Sequence, residues 1–519
     1  MYLTQPLHRA LQQSPDKVAL SFGERKTTFR TLADRVARLA GALRGLGMRP
    51  GDVVSILALN SDRYFEYIVG VPWGGGVLNP CNIRWSAAEI GYSLDDSGSR
   101  ILLVDDAFLP VVEKLAAEGE RPPIVVHCGD GPTPAGLLGY EQLIAEAAPV
   151  PDAGRRGDDL LGLFYTGGTT GTPKGVMIGH RSIYASGLAL LADGLGSPGS
   201  VYLHAAPMFH IADFGMSCVQ WICGNTQSFV GAFSPQGVAA AIERDRATHV
   251  LLVPTMIQML VDHPEVLAKH DLSSLACIVY GASPISEKLL DRAMAAFPGV
   301  DFIQAYGMTE LSPLATVCPA RYHTAEGRKL GKLRSAGRAG YCTEVRIVDA
   351  QGREVPRGTV GEVAVRGPNV MLGYWNKPEL TARTVRDGWM HTGDGAYMDD
   401  DGFIYIVDRL KDMIITGGEN VYSAEVENVL AQHPAVGSCA VIGVPSAEWG
   451  ESVHAIVVPK PDAATTAEDM IAFCRERIAH YKCPRSVEFV DRLPLSGAGK
   501  ILKTSLREPY WQGRERQVS

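Results

Sequence analysis

The sequence has no run of about 18 consecutive apolar residues, so no membrane span is expected. It has no Cys-x-x-Cys pair either, and its ten cysteines are scattered singly between Cys81 and Cys483. A disulfide framework and a thiolate zinc cluster are excluded as organising devices, and reduced core thiols are expected. Positive charge is also short: Lys plus Arg is 49 against 57 for Asp plus Glu, a net charge of −8. Domains that grip a nucleic-acid backbone are usually basic, so no nucleic-acid partner is expected. Met1 to Ser14 lacks the basic stretch and apolar run of a secretory signal, and a cytoplasmic location is expected. No fixed-period repeat or low-complexity tract breaks the chain.

Apolar residues make up 46% and charged residues 20% of the 519, the balance of an ordinary globular protein long enough for two or more cores. Leu32, Val36, Leu39, Ala40, Leu43 and Leu46 recur at helical spacing, which predicts a helix over Thr31 to Leu46 ending at Gly47. Val53 to Leu59 and Ile101 to Val104 read as buried strands, with a capping box at Ser86 to Glu89 opening a helix between them. Strands alternating with helices predict crossover connections and an α/β fold with parallel sheets. After the strand-like run Phe403 to Val407 the pattern shortens. Helices near Ala424 to Gln432 and Ala467 to Ile478 and strands at Ser438 to Val444 and Val453 to Val458 predict a separate small α+β domain. The boundary is expected at the charged stretch Asp408 to Lys411, giving domains 1–408 and 409–519.

The densest chemical signal follows the apolar strand Leu160 to Tyr165. Thr166, Gly167, Gly168, Thr169, Thr170, Gly171 and Lys174 combine glycines, which let backbone N–H groups curl around an anion, with hydroxyls and one cation. This is not a Walker A loop, because Lys174 lies between Pro173 and Gly175. The loop resembles the phosphate loop of the adenylate-forming superfamily, which includes acyl-CoA synthetases, nonribosomal peptide adenylation domains and firefly luciferase. That family usually has Ser where Gly168 stands. The resemblance continues in order and spacing over nearly the whole chain. Tyr280-Gly281-Ala282-Ser283-Pro284 resembles the segment lining the adenine and acyl pockets, and Tyr306-Gly307-Met308-Thr309-Glu310 the Y-G-x-T-E motif. His391-Thr392-Gly393-Asp394 with Arg409 resembles the ribose-binding pair. Tyr405 to Asp412 resembles the hinge motif, and Pro494 to Ile501 the terminal motif that carries Lys500.

The resemblance implies a large N-terminal domain of parallel and mixed sheets flanked by helices, a β-barrel-like subdomain, and a small mobile C-terminal domain. It implies ATP, Mg2+ and coenzyme A as reactants or cofactors and a small-molecule carboxylic acid as substrate. Lys500, Thr309, Glu310 and His210 are then the catalytic candidates, with Glu310 also holding the metal through oxygen. Gly281, Ala282, Ser283, Tyr306, Gly307, Asp394 and Arg409 join the phosphate loop at the nucleotide, with the Tyr306 ring able to stack on adenine. Lys411 is the expected pivot, and Gly417, Gly418 and Trp449 line the route of the coenzyme A thiol. Phe209, His210, Ile211, Phe214, Gly307 and Met308, with Val253 to Thr255 nearby, are expected around the acyl group, where Gly281, Ala282 and Gly307 leave room. A metal pair of His204 and His210 is not expected, since the two lack i, i+4 spacing. A medium- to long-chain fatty acid is the expected substrate, with an aromatic acid of cinnamate type the next choice. Loading of a carrier protein is the alternative to coenzyme A, and a homodimer is left open.

Overall fold

The structure, a computed structural model, describes residues 1–118, 123–166, 173–283, 285–410, 412–461, 463–496 and 499–512. Local rules set the first elements. The helix Phe29–Gly45 starts at Thr28, whose hydroxyl accepts the Thr31 N–H at 3.2 Å, and buries Leu32, Val36, Leu39 and Leu43 on one face. Gly47 turns the chain away with φ +101°, a conformation that costs glycine little. Before the helix Ala87–Ser97, the Ser86 hydroxyl accepts the Glu89 N–H and Glu89 Oε2 accepts the Ser86 N–H at 2.8 Å. Such a cap stabilises a helix by about 1 kcal/mol.

Two large sheets carry most of the chain. An eight-stranded sheet has at its centre Leu160–Thr166, Val77–Pro80, Val53–Leu57 and Ile101–Val104, all parallel to one another. Every residue of Val53–Leu57 is buried, as a strand covered by helices on both faces requires. A nine-stranded sheet runs parallel through Val201–His204, His249–Leu252, Cys277–Gly281 and Asp301–Gly307. The expected alternation of strand and helix is thus realised twice. The strand Leu160–Thr166 does not lead into a helix beyond its loop. It returns antiparallel as Lys174–Gly179, with Thr166 opposite Lys174. Lys174 therefore sits at the mouth of a hairpin, and Val176 and Ile178 in the return strand are buried.

A third sheet is antiparallel and stands where the barrel-like subdomain was expected, built from Glu344–Val348, Gly361–Arg366, Val385–Arg386, Trp389–Met398 and Ile404–Arg409. A fourth sheet of five strands lies wholly within residues 414–489. It packs the helices Ser423–Leu430 and Ala467–Arg475 over a core of its own that includes Ile414, Val426, Leu430, Val441, Val453 and Met470. All ten cysteines are free thiols, seven of them buried. Among the described residues no helix is long and apolar enough to cross a membrane.

Candidate active site

The nucleotide-binding candidates meet where the two parallel sheets and the third sheet come together. Asp394 on Trp389–Met398 stands directly opposite Arg409 on Ile404–Arg409, and their side chains pair at 3.3 Å. The other Asp394 oxygen accepts the Tyr306 hydroxyl at 2.7 Å. Thr392 Oγ1 accepts the Asp394 N–H at 3.1 Å and itself donates to the Val363 carbonyl. Burial, then the Asp394 carboxylate, drives the Tyr306 phenol well above its ordinary pKa, so it stays a neutral donor. A buried carboxylate held on one side by a guanidinium and on the other by a phenol is rigid and retains acceptor capacity for hydroxyl donors.

Thr309 and Glu310 form a single 3-10 turn, Thr309–Leu311, directly after the strand that carries Tyr306. Both are buried. Glu310 Oε1 accepts the Tyr374 hydroxyl at 2.7 Å, and the Lys174 ammonium lies 5.8 Å from the Tyr374 ring centroid. Tyr374 thus links the phosphate-loop lysine to the Y-G-x-T-E motif, a role the sequence reading missed. Gly281 and Gly307 are small for a reason other than the room first expected. A Cβ on Gly281 would lie 2.0 Å from the Ala305 carbonyl oxygen, and one on Gly307 only 1.7 Å from that of Pro313. Their backbones pack against neighbouring strands. Ala282 adopts φ +65°, the left-handed region uncommon for a residue with a Cβ, and Ser283 follows it half-buried.

Lys500 reaches this site from the C-terminal part of the chain. Burial lowers its pKa to about 8, with Arg409 adding to the effect while Asp394 and Glu310 oppose it. His210 is driven down to about 3, first by burial and then by Lys500. One ammonium therefore senses all four groups. His210 itself caps the helix Ile211–Ile222, its Nδ1 accepting the Ala212 N–H at 3.3 Å, so it is a neutral imidazole with its proton on Nε2. The Lys500 loop is also gripped by the large lobe. Arg84 donates to the Ser496 carbonyl at 2.8 Å, and a Cβ on Gly499 would lie 2.9 Å from Thr255 Oγ1 and 3.3 Å from Val253 Cγ2.

The remaining candidates divide. Ile211 and Phe214 lie in the main core, where the Phe214 ring stands 5.3 Å from Phe164. Phe209 is buried beside His210, and Met308 packs partly buried on the core of the third sheet. His204 pairs with Asp213 at 2.6 Å and with Gln227 at 3.0 Å deep in the fold. Gly417 and Gly418 take φ +60° and +84° in the turn between Ile414–Thr416 and Glu419–Val421. The Gly417 N–H donates to the Trp449 carbonyl at 2.9 Å, and Arg485 stacks 4.4 Å above the half-exposed Trp449 ring. Gly167, Gly168, Thr169, Thr170 and Gly171 of the phosphate loop, and the expected pivot Lys411, lie outside the described residues.

Among the described residues no group of three or more His, Cys, Asp or Glu could cage a metal. Besides Asp394, which Arg409 and Tyr306 already hold, the site offers the buried carboxylate of Glu310, whose Oε1 is oriented by Tyr374. That fits Mg2+, which takes one or two carboxylates and completes its shell with phosphate oxygens and water.

Comparison with known proteins gives the family. A family model described as AMP-binding enzyme matches residues 7–375, and one described as AMP-binding enzyme C-terminal domain matches residues 425–500. The chain belongs to the AMP-binding enzyme family. A feruloyl-CoA synthase from an Amycolatopsis species is 42% identical to this AMP-binding enzyme over 506 residues, covering 97% of this chain and 98% of that protein. The fatty acid–[acyl-carrier-protein] ligase ScoC of Streptomyces coeruleorubidus is 37% identical over 512 residues, covering 98% and 96%. The crystal structure of the anthranilate CoA ligase AuaEII in complex with anthranoyl-AMP superposes with a TM-score of 0.88 at 28% identity, covering 98% of this chain and 97% of that one.

Proposed function

We propose that this AMP-binding enzyme is an acid–thiol ligase that activates a carboxylic acid with ATP and transfers it to coenzyme A. A carboxylate resists nucleophilic attack because it is anionic and oxide is a very poor leaving group. In the first step the carboxylate oxygen attacks the α-phosphorus of ATP, the bond to the β-phosphate oxygen breaks, and pyrophosphate leaves. In the second the thiol sulfur attacks the acyl carbon of the acyl-AMP, its proton is lost, and AMP departs.

The observation that carries this reading is the convergence of Lys500 with Arg409, Asp394, Glu310 and His210. Asp394, with Arg409 beside it, accepts the ribose hydroxyls, and Tyr306 lies along the adenine. Lys174 and the Thr166–Gly171 loop orient the outer phosphates. Thr309 donates to the α-phosphoryl group, and Lys500 stabilises the charge that gathers there. Glu310 would hold Mg2+, which when bound supplies charge neutralisation at the phosphates. His210 closes the acyl side as a neutral imidazole beside Phe209 and Met308, where Ile211 and Phe214 back it from the core. Residues 409–519 act as a mobile domain on a pivot at Lys411, and Gly417, Gly418 and Trp449 line the thiol route after it turns.

The likeness to a feruloyl-CoA synthase favours an aryl acid of cinnamate type, with a fatty acid next. The likeness to a fatty acid–[acyl-carrier-protein] ligase supports one second reading, transfer to a carrier-protein phosphopantetheine. The test is an assay of AMP and pyrophosphate over a panel of cinnamate-type and fatty acids, run without acceptor, with coenzyme A and with a phosphopantetheinylated carrier protein. Acid-dependent AMP with coenzyme A is expected. ADP in place of AMP, or no acid-dependent pyrophosphate from any acid, overturns the reading.

A pH dependence follows from Lys500. It works as the ammonium, and its pKa of about 8 means that charge is lost as pH rises through that value. The kcat/KM of adenylation, followed by pyrophosphate exchange, is expected to fall on an alkaline limb near pH 8. Transfer from supplied acyl-AMP does not need the ammonium and should lack that limb.

A further inference from the structure

Beneath the Lys500 loop lies a group of charged side chains that neither step uses. Lys503 opens the helix Lys503–Trp511, and its ammonium pairs with Glu427 at 2.7 Å and donates to the Ser423 hydroxyl. Ser423 in turn donates twice to Asp408 Oδ2, from its N–H and from its hydroxyl, each at 2.6 Å. One turn further along the helix, Arg507 pairs with Asp412 at 2.6 Å. The Lys503 and Glu427 side chains are 15% and 20% exposed, and Asp408 is buried. Burial and the neighbouring carboxylates push Asp408 and Glu427 above their ordinary values, while Glu427 and Asp408 outweigh burial to keep Lys503 charged.

Lys503 is tied to Lys500 by more than proximity in sequence. The segment between Pro494 and Leu502 closes on itself: Leu502 N–H donates to the Pro494 carbonyl at 2.9 Å, Leu495 bridges Ile501, and Ser496 N–H donates to the Lys500 carbonyl at 2.6 Å. The base of that hairpin runs straight into the first turn of the Lys503 helix. Fixing Lys503 therefore fixes the frame from which Lys500 projects. Asp408 precedes the proposed pivot at residue 411, and Ser423 and Lys503 follow it, so the chain Lys503–Ser423–Asp408 spans the pivot.

We infer that Lys503 is a positioning residue for adenylation: anchored through Ser423 to Asp408 across the hinge, it holds the Lys500 hairpin in the cleft, and the anchor releases when the small domain turns for transfer. This rests on the assignment of Lys500 above, and a Lys500→Ala control separates the two. If that variant still adenylates, the assignment fails and this inference falls with it.

The experiment measures pyrophosphate exchange, acyl transfer from supplied acyl-AMP, and Tm for Lys503→Met and Lys503→Arg. Lys503→Met is expected to lose adenylation by about 10- to 100-fold, the scale of a small misplacement of a catalytic group, with transfer within about threefold or faster. Lys503→Arg keeps the charge that pairs with Glu427 but not the compact ammonium, and should recover part of the loss, staying at least about threefold above Lys503→Met in adenylation. A purely structural role lowers both half-reactions together, and that result overturns the inference, as does unchanged adenylation in Lys503→Met. If Lys503→Met does not fold, the pair Glu427→Gln with Lys503→Met removes both members of the ion pair together and decides by the same split.

Discussion

Lys500→Ala is expected to cut acid-dependent pyrophosphate exchange by at least about 10²–10³-fold, the effect of deleting one preorganised electrostatic group at a reacting centre. Thioester synthesis from supplied acyl-AMP and coenzyme A should stay within about threefold of the parent. The asymmetry follows from where charge develops. In adenylation, negative charge gathers on the α-phosphoryl oxygens, and a nearby ammonium is worth most where water is scarce. The depressed pKa of Lys500 reports that scarcity, since burial is its first cause. In transfer the charge moves to the acyl carbonyl and the departing AMP, and the proposed turn has taken Lys500 away. Lys500→Arg should recover little, because a planar fork does not occupy the place of a compact ammonium. Equal loss of both half-reactions would refute the division of labour.

The parts of this site that could be read from the sequence are those whose cause is local. The helix Phe29–Gly45 announces itself by spacing and by Gly47 at its end, though its start at the Thr28 cap lies ahead of the Thr31 expected, and the Ser86–Glu89 box names its own partners. Asp394 and Arg409 stand 15 positions apart, and only a hairpin register makes them opposite neighbours. Their pairing was reachable through family resemblance and not through composition, which reads them as a turn and a solvated charge run. Glu310 and Tyr374 are 64 residues apart, joined by the way the short strand Gly373–Tyr374 lies along Lys174–Gly179. No local signal marks that contact. Gly307 was expected to leave room, and the partner it packs against instead, the Pro313 carbonyl, is set by a turn that periodicity does not reveal. Lys503 carries no mark in the sequence beyond sitting three positions after Lys500, because what distinguishes it is the company of half-buried Glu427 and buried Ser423 and Asp408 around it.

Lys411→Pro is expected to slow thioester formation by about 100-fold while leaving adenylation within about tenfold, taking roughly 3 kcal/mol as the bias a misplaced proline imposes. The described residues on either side of the proposed pivot are held by backbone bonds. Leu410 N–H donates to the Gly393 carbonyl at 2.9 Å, and Asp412 and Met413 N–H both donate to the Arg409 carbonyl, at 2.8 and 3.1 Å. Leu410 is thus tied to the third sheet and the chain after the proposed pivot back to Arg409, and the proposed rotation of the small domain has to work against those bonds. Proline locks its own φ and restricts the residue before it, so one orientation is kept and the other becomes costly. Lys411→Ala removes the same side chain but leaves φ free, and both half-reactions should stay within about threefold of the parent. Single-turnover transfer kinetics distinguish the two variants. If Lys411→Pro transfers acyl groups as fast as Lys411→Ala, the pivot lies elsewhere in the chain, and the bonds flanking residue 411 hold a static linker instead of a hinge.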